Sequence, residues 1–236
     1  DFKHATRALM DVNLNEIPID SKSSLFFLLT RMQDEVITGI ANLIESRDGS
    51  TGLHVKNTQN YVQILTKALR EKGMYPDILD HNYELNTVKA SVLHDIGKIK
   101  TPDAILLKPG RLTDEEFEVM KQHTVAGCEI IDRIIGNVEH EEYVDIARKI
   151  ARYHHERWDG TGYPDGLSGE EIPLCARIMA LADVFDALYQ DRCYKKAIRP
   201  ASKVFEIIKE NSGSQFDPNL TEIFLELQRE ITDISE

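Results

Sequence analysis

The chain of 236 residues carries 28 Lys and Arg against 40 Asp and Glu, a formal charge of −12, with 42% hydrophobic and 29% charged residues. That balance suits one large globular domain, or one domain with a short extension, and so acidic a surface disfavours nucleic-acid polymers and anionic membranes as broad partners, while a small anionic substrate beside a metal ion stays compatible with it. The three cysteines, Cys128, Cys175 and Cys193, have no CxxC spacing and fit a reduced, cytoplasmic chain, and the longest strongly apolar run, Leu25–Leu29, is far short of the roughly 20 residues of a membrane span.

In chain order, almost every segment reads as helix, so the expected class is all-α, with a short helical extension or linker end over residues 1–40 and one compact domain over 41–236. The start at Asp1 rather than Met reads as a piece of a longer protein, with an upstream sensory or regulatory segment. Hydrophobic periodicity predicts helices over 21–47, 53–72, 82–96, 113–136, 140–153, 174–189, 199–211 and 218–233. Gly73, Gly97 and Gly136 read as stops for the second, third and fourth of these. Thr113 with Glu116 is a capping-box pattern, and Asp217-Pro218 supplies a cap and a first-turn proline. Residues 97–112 and 157–173 are rich in glycine and proline and read as long loops, which inside a helical domain are often functional.

The chemistry concentrates in the histidines and aspartates. His54, His94, His123, His154 and His155 fall beside other ligand-type residues, whereas His4, His81 and His140 do not. Imidazoles with carboxylates suit divalent transition metals, and five histidines plus aspartates exceed what one ion needs, which points to two. His123 shares an apolar stripe with Phe117, Met120, Gly127, Ile131 and Ile134 and so faces inward. His94-Asp95 lies between Leu93 and Ile96, and Asp183 lies among Leu181, Ala182 and Phe185; buried charges there require partners. A lone inward histidine is more often a hydrogen-bonded core residue than a ligand, so the argument lies in their joint occurrence. Asp186, near Asp183, reads as a supporting carboxylate rather than a ligand. Lys98, Arg192 and Lys195 are ordinary helix-end cations if taken singly and anion clamps if a phosphate binds nearby. Tyr163 can stack on a base or donate a hydrogen bond, and Trp158 reads as a packing anchor.

These residues resemble a known family. His94-Asp95-Ile96-Gly97-Lys98 resembles the HD motif with its following Gly-Lys, and Gly162-Tyr163-Pro164 resembles the GYP motif. Between and beyond them, Pro102-Asp103, Lys108-Pro109-Gly110, His154-His155-Glu156-Arg157, Asp183-Val184-Phe185-Asp186 and Phe216-Asp217-Pro218 agree as well. The resemblance, over about residues 40–235, is to the HD-GYP domains, all-helical members of the HD hydrolase superfamily that hydrolyse cyclic dinucleotides in bacterial signalling. It implies a first metal site of His54, His94, Asp95 and Asp183, and a second of His123, His154 and His155 with Asp95 bridging. It implies substrate contacts at Lys98, Tyr163, Arg192 and Lys195, catalytic roles for Lys98 and Asp95, and two ions drawn from iron, manganese or nickel. It departs from many members at Ser50, where they carry a glutamate associated with a third ion, and in Val55-Lys56-Asn57 after the first histidine. The implied reaction is metal-assisted hydrolysis of cyclic di-GMP or 3′,3′-cyclic GMP-AMP to the linear dinucleotide, with no protein nucleophile, and a homodimer is compatible with it. The rivals are a catalytically weak metal-containing receptor or interaction module, another nucleoside-phosphate hydrolase of the superfamily, and a di-iron oxygenase on the same scaffold.

Overall fold

The computed structural model describes residues 19–48, 53–136, 141–190 and 197–235. Among them the chain is helical, with one isolated bridge between Ser212 and Phe216 and no strand. The helices are α1 (Ile19–Glu45), α2 (His54–Glu71), α3 (His81–Ala90), α4 (Asp103–Leu106), α5 (Asp114–Ile135), α6 (Glu141–Tyr153), α7 (Leu174–Tyr189), α8 (Ala201–Glu210), α9 (Pro218–Glu226) and α10 (Gln228–Ser235). Short 3₁₀ turns lie at Ser46–Asp48, Ser91–Leu93, Ile96–Lys100 and Gly169–Glu171. The chain divides into two units, Asp1–Ile37 and Thr38–Glu236. In the first, Leu28, Met32 and Val36 lie exposed on α1.

The second unit is built around α7. From Leu174 to Ala182 every residue is buried, so α7 is enclosed on all sides rather than amphipathic. It packs against α2, α6 and α8. Its Phe185 ring stands 5.1 Å from Tyr61 of α2, 5.0 Å from Phe205 of α8 and 5.7 Å from Phe224 of α9, a cluster that ties four helices together. On α2, Tyr61, Leu65 and Leu69 recur every four residues and are fully buried. α6 lies against α3, α5 and α7 through Val144, Ala147, Ile150 and Ala151.

The expected caps form. Thr113 and Glu116 close the capping box of α5, and the Asp217 carboxylate accepts from the backbone N–H of Asn219 at 2.8 Å. Four local expectations are corrected. The helix expected over 82–96 ends at Ala90 and tightens into the 3₁₀ turn 91–93, because Ser91 Oγ donates to the Val88 carbonyl at 2.8 Å and His94 Nδ1 to the Ser91 carbonyl at 2.9 Å, bonds that compete with the α-helical ladder. Gly97 is not a stop but part of the turn 96–100. A Cβ there would stand 1.8 Å from the His123 carbonyl oxygen, so only glycine lets this turn lie on α5. Residues 97–112 are therefore not all loop, since they also hold α4. The last predicted helix breaks at Leu227 into α9 and α10.

The buried face of α5 also differs from the predicted stripe. His123, Thr124, Gly127, Ile131 and Ile135 are buried, but Phe117 is 44% and Ile134 60% exposed. Phe117 lies in the first turn of the helix, and in the last turn Ile135, not Ile134, is the buried residue.

Candidate metal centre

Helix ends and turns, rather than helix middles, deliver most of the ligand-type side chains. His54 is the first residue of α2, His94 and Asp95 join two 3₁₀ turns, and His154 and His155 follow the last residue of α6; His123 and Asp183 project from within α5 and α7. Three imidazoles are held by a carbonyl of the preceding turn: His94 Nδ1 by Ser91 at 2.9 Å, His123 Nδ1 by Met120 at 2.7 Å and His154 Nδ1 by Ile150 at 2.9 Å. His54 Nδ1 is held by the Asp186 carboxylate at 2.6 Å. Carbonyls and ionised carboxylates only accept, so each Nδ1 carries a proton and the lone pair of the neutral ring lies on Nε2. All four Nε2 atoms, with Asp95 Oδ1, are buried and have no hydrogen-bond partner among the described residues. Buried polar atoms are almost always satisfied, and inward lone pairs backed by hydrogen bonds on the far nitrogen are the arrangement of metal-ligating histidines. The donor set therefore fits divalent metal.

These atoms fall into two groups whose members lie within 4.8 Å of one another, His54 with His94 and Asp183, and Asp95 with His123, His154 and His155. Asp95 stands between them: Oδ2 is 3.3 Å from His94 Nε2, and Oδ1 is 3.3 Å from His123 Nε2 and 3.8 Å from His154 Nε2. A third set, Glu45 with His54 and Asp95, overlaps both. The Lys98 ammonium lies 2.7 Å from Asp95 Oδ2 and 3.7 Å from Glu45 Oε2, so a protein cation already sits between those two carboxylates.

The electrostatics differ across the cluster. Burial lowers the pKa of His155 to about 4, with His123 adding to the effect, and burial likewise holds His154 well below the ordinary imidazole range. Burial would also lower His54, but the Asp183 and Asp186 carboxylates with Glu45 outweigh it and raise His54 to about 10. Asp95 is opposed by burial yet kept well below the usual carboxylate range by the charge of Lys98 and by His94.

The loop 157–173 is fastened on both sides. The Glu156 carboxylate accepts from the backbone N–H of Asp165 at 2.8 Å and of Gly166 at 3.0 Å. Gly162 lies so close that a Cβ would meet Arg157 N at 2.4 Å. The N–H groups of Trp158 and Asp159 donate to Gln215 and Ser214. Beneath, the buried Arg177 guanidinium pairs with Asp217 at 2.7 Å and lies between the Tyr75 and Trp158 rings. The loop is thereby held with the Tyr163 ring 4.8 Å from that of His155.

A family model for the HD domain matches residues 40–220. This chain belongs to the HD-domain family. Its motifs are those of the HD-GYP proteins. It is 45% identical over 206 residues to a cyclic di-GMP phosphodiesterase of Vibrio cholerae, an alignment covering 86% of this chain and 41% of that protein. It is 42% identical over 200 residues to a cyclic di-GMP phosphodiesterase of Thermotoga maritima, covering 85% and 50%. To the 3′3′-cGAMP-specific phosphodiesterase 2 of V. cholerae it is 34% identical over 227 residues, covering 96% and 41%. The chain spans about half the length of the curated relatives it matches. Two solved structures share the fold: a cyclic GMP-AMP-specific phosphodiesterase of V. cholerae, with TM-score 0.56, 19% identity and coverage of 84% of this chain and 52% of that one, and an HDG"Y"P protein of Bdellovibrio bacteriovorus, with TM-score 0.53, 17% identity and coverage of 82% and 61%.

The HD-GYP fold thus brings together all seven residues expected from the sequence as metal ligands, with Lys98 and Tyr163 beside them. Asp186 supports His54, as the sequence reading has it, and Asn57, where the chain departs from the family's usual residues, donates to the same carboxylate at 3.1 Å. Trp158 packs on Arg177. Arg192, Lys195 and Cys193, and also Ser50, His4 and His140, lie outside the described residues. Sequence reasoning missed Glu45 and Glu156. Glu45 ends α1 nine residues before His54, with no local motif to mark it; Glu156 stood in the text of the HD-GYP motif, and its burial was the missing signal. No helix among the described residues is long and apolar enough to cross a membrane.

Proposed function

We propose that the chain is a metal-dependent phosphodiesterase that adds water across a P–O bond of a cyclic dinucleotide, cyclic di-GMP or 3′,3′-cyclic GMP-AMP, giving the linear dinucleotide and, after a second cleavage, mononucleotides. The observation that carries the reading is the set of four buried Nε2 atoms, of His54, His94, His123 and His154, converging around Asp95. The relatives named for this activity, at 34–45% identity, support the substrate class.

Two ions, iron, manganese or nickel, would be held by His54, His94 and Asp183 on one side and by His123, His154 and His155 on the other, with Asp95 between them. The overlapping set with Glu45 favours no third ion, because the Lys98 ammonium already stands between the Asp95 and Glu45 carboxylates. Divalent ions at such a centre supply Lewis acidity toward phosphoryl oxygens and generate a nucleophile from water at neutral pH. Asp95 stays anionic under the influence of Lys98 and so remains a ligand. The Lys98 ammonium, within reach of the same carboxylate, offsets charge that grows on the non-bridging phosphate oxygens. Tyr163 lines the substrate side against His155, and Arg192 and Lys195 serve as further anion contacts. No protein side chain acts as nucleophile. The activity belongs to bacterial second-messenger signalling in the cytoplasm.

The test is incubation of the metal-loaded protein with cyclic di-GMP and 3′,3′-cyclic GMP-AMP, products being resolved by chromatography. Linear dinucleotide is expected from at least one. Tight binding of both with no product would leave the receptor reading in its place.

A further inference from the structure

Phe117 is out of place for an apolar residue. It begins the face of α5 that carries His123, yet much of it meets solvent. Its ring meets the Tyr163 ring edge to face, with centroids 5.9 Å apart. The Nζ of Lys121, one turn further along α5, stands 5.5 Å from the Phe117 ring and 5.8 Å from the Tyr163 ring. Tyr163 is the residue that reaches the cluster, 4.8 Å from the His155 ring and 6.5 Å from that of His123. A partly exposed aromatic ring and an ammonium therefore stand at the edge of the metal-ligand cluster, linked to it by the Tyr163 ring.

The fold makes little use of this pair. Lys121, its side chain 22% exposed, lies 2.5 Å from Glu118, whose side chain is 66% exposed, and an ion pair open to solvent on one side is screened and contributes little. The ammonium can therefore turn toward a bound group. Any nucleobase offers a face for stacking on an aromatic ring. Only guanine presents two acceptors, O6 and N7, on one edge; adenine puts a donating amine where guanine has O6. A lysine donor separates the two.

We infer that Phe117 and Lys121 form a guanine subsite, with Phe117 stacking on the base and Lys121 donating to O6 and N7 while the phosphate lies toward the cluster. This rests on the phosphodiesterase reading and adds a base preference to it. Cyclic dinucleotides that contain guanine fit the subsite, and cyclic di-AMP does not.

The experiment measures binding and turnover separately on the metal-loaded protein. Calorimetric titration with GMP and AMP gives the base preference without any reaction, and steady-state kinetics on cyclic di-GMP and cyclic di-AMP give it for the substrates. Wild type should prefer the guanine ligand in both. Phe117→Ala should weaken GMP binding by roughly five- to 150-fold, the span seen when a stacked base loses its aromatic partner. Lys121→Met should weaken GMP by about tenfold and AMP, which offers N7 alone, by less, and so reduce the preference. Metal content and thermal unfolding should match wild type in both variants, which separates a lost subsite from a damaged fold. Equal binding of GMP and AMP by wild type overturns the inference, as does a Lys121→Met protein with an unaltered GMP-to-AMP ratio or a Phe117→Ala protein with unaltered GMP affinity. A wild type that prefers GMP but cleaves no cyclic dinucleotide overturns the phosphodiesterase reading instead and leaves the subsite standing.

Discussion

His54, His94 and Asp183 share their surroundings with Glu45 and Asp186, whereas His123, His154 and His155 have Asp95 as the carboxylate within reach of their group. The first group is rich in negative charge and the second in neutral imidazole. His54 rises to about 10, while His155 falls to about 4. Burial acts the same way on both rings; hydrogen bonds to the Asp183 and Asp186 carboxylates outweigh it at His54, whereas the charges of Asp183 and Asp95 do not outweigh it at His155. Without metal, the first group keeps a proton where a cation would otherwise balance it, and the second needs none. In the proposed two-ion centre, one group would have to exchange a proton for metal and the other is already in its binding form.

Asp95 is where the comparison is most exposed, because it reaches both groups and carries Lys98. Asp95→Asn should lose metal from both sides and lower turnover by about a hundredfold or more, a barrier higher by roughly 3 kcal/mol. His123→Ala should empty only the imidazole-rich side. Elemental analysis with steady-state kinetics checks this, and an Asp95→Asn protein that keeps its full metal content would mean the groups do not share that carboxylate.

A smaller effect is expected at Asp186, which touches the first group alone through His54 and Asn57. Asp186→Asn keeps the shape and removes the charge behind His54. Metal affinity on that side should fall by about 10–100-fold, the usual cost of altering a carboxylate behind a ligating histidine. Competition with a chelator measures it, and equal loss on the imidazole-rich side would erase the distinction.

The smallest and sharpest test counts protons. At pH 7 His54 lies below its pKa and is protonated, while His155 lies above its pKa and is neutral. A metal needs the free lone pair, so loading the first group should release about one proton and loading the second none. As the pH rises through about 10 the release should vanish. Calorimetric titration of metal into the metal-free protein, repeated in buffers of different ionisation enthalpy, reads the count. No release at pH 7 from either group would show that the carboxylates around His54 do not hold a proton there.

Much of this centre was legible in advance, and the misses share a cause. His123 could be placed inward because its neighbours three and four residues away are local, and helix geometry alone relates them. The pair His94-Asp95 was recognisable too, but not the tightening at Ser91 that turns it, since that depends on side chains bonding to the backbone of a buried turn. Gly97 looked like a helix stop because the residue it has to avoid, His123, is 26 positions away. Phe117 looked like core because periodicity reports which side of a helix a residue occupies, not whether anything covers that end of it.

By itself, then, the order of residues determined the helical class, the caps of α5 and α9, and the identity of seven ligand-type side chains, since each depends on spacing within a turn or two or on the chemistry of a side chain. Only the tertiary structure decided that Glu45 from the end of α1 joins His54, that Asn57 and Asp186 meet across 129 positions of chain, and that Tyr163 stands between the cluster and Phe117. Those contacts follow from how helices cross and how a loop is fastened by Glu156, and no periodicity along the chain encodes the angle at which two helices pack.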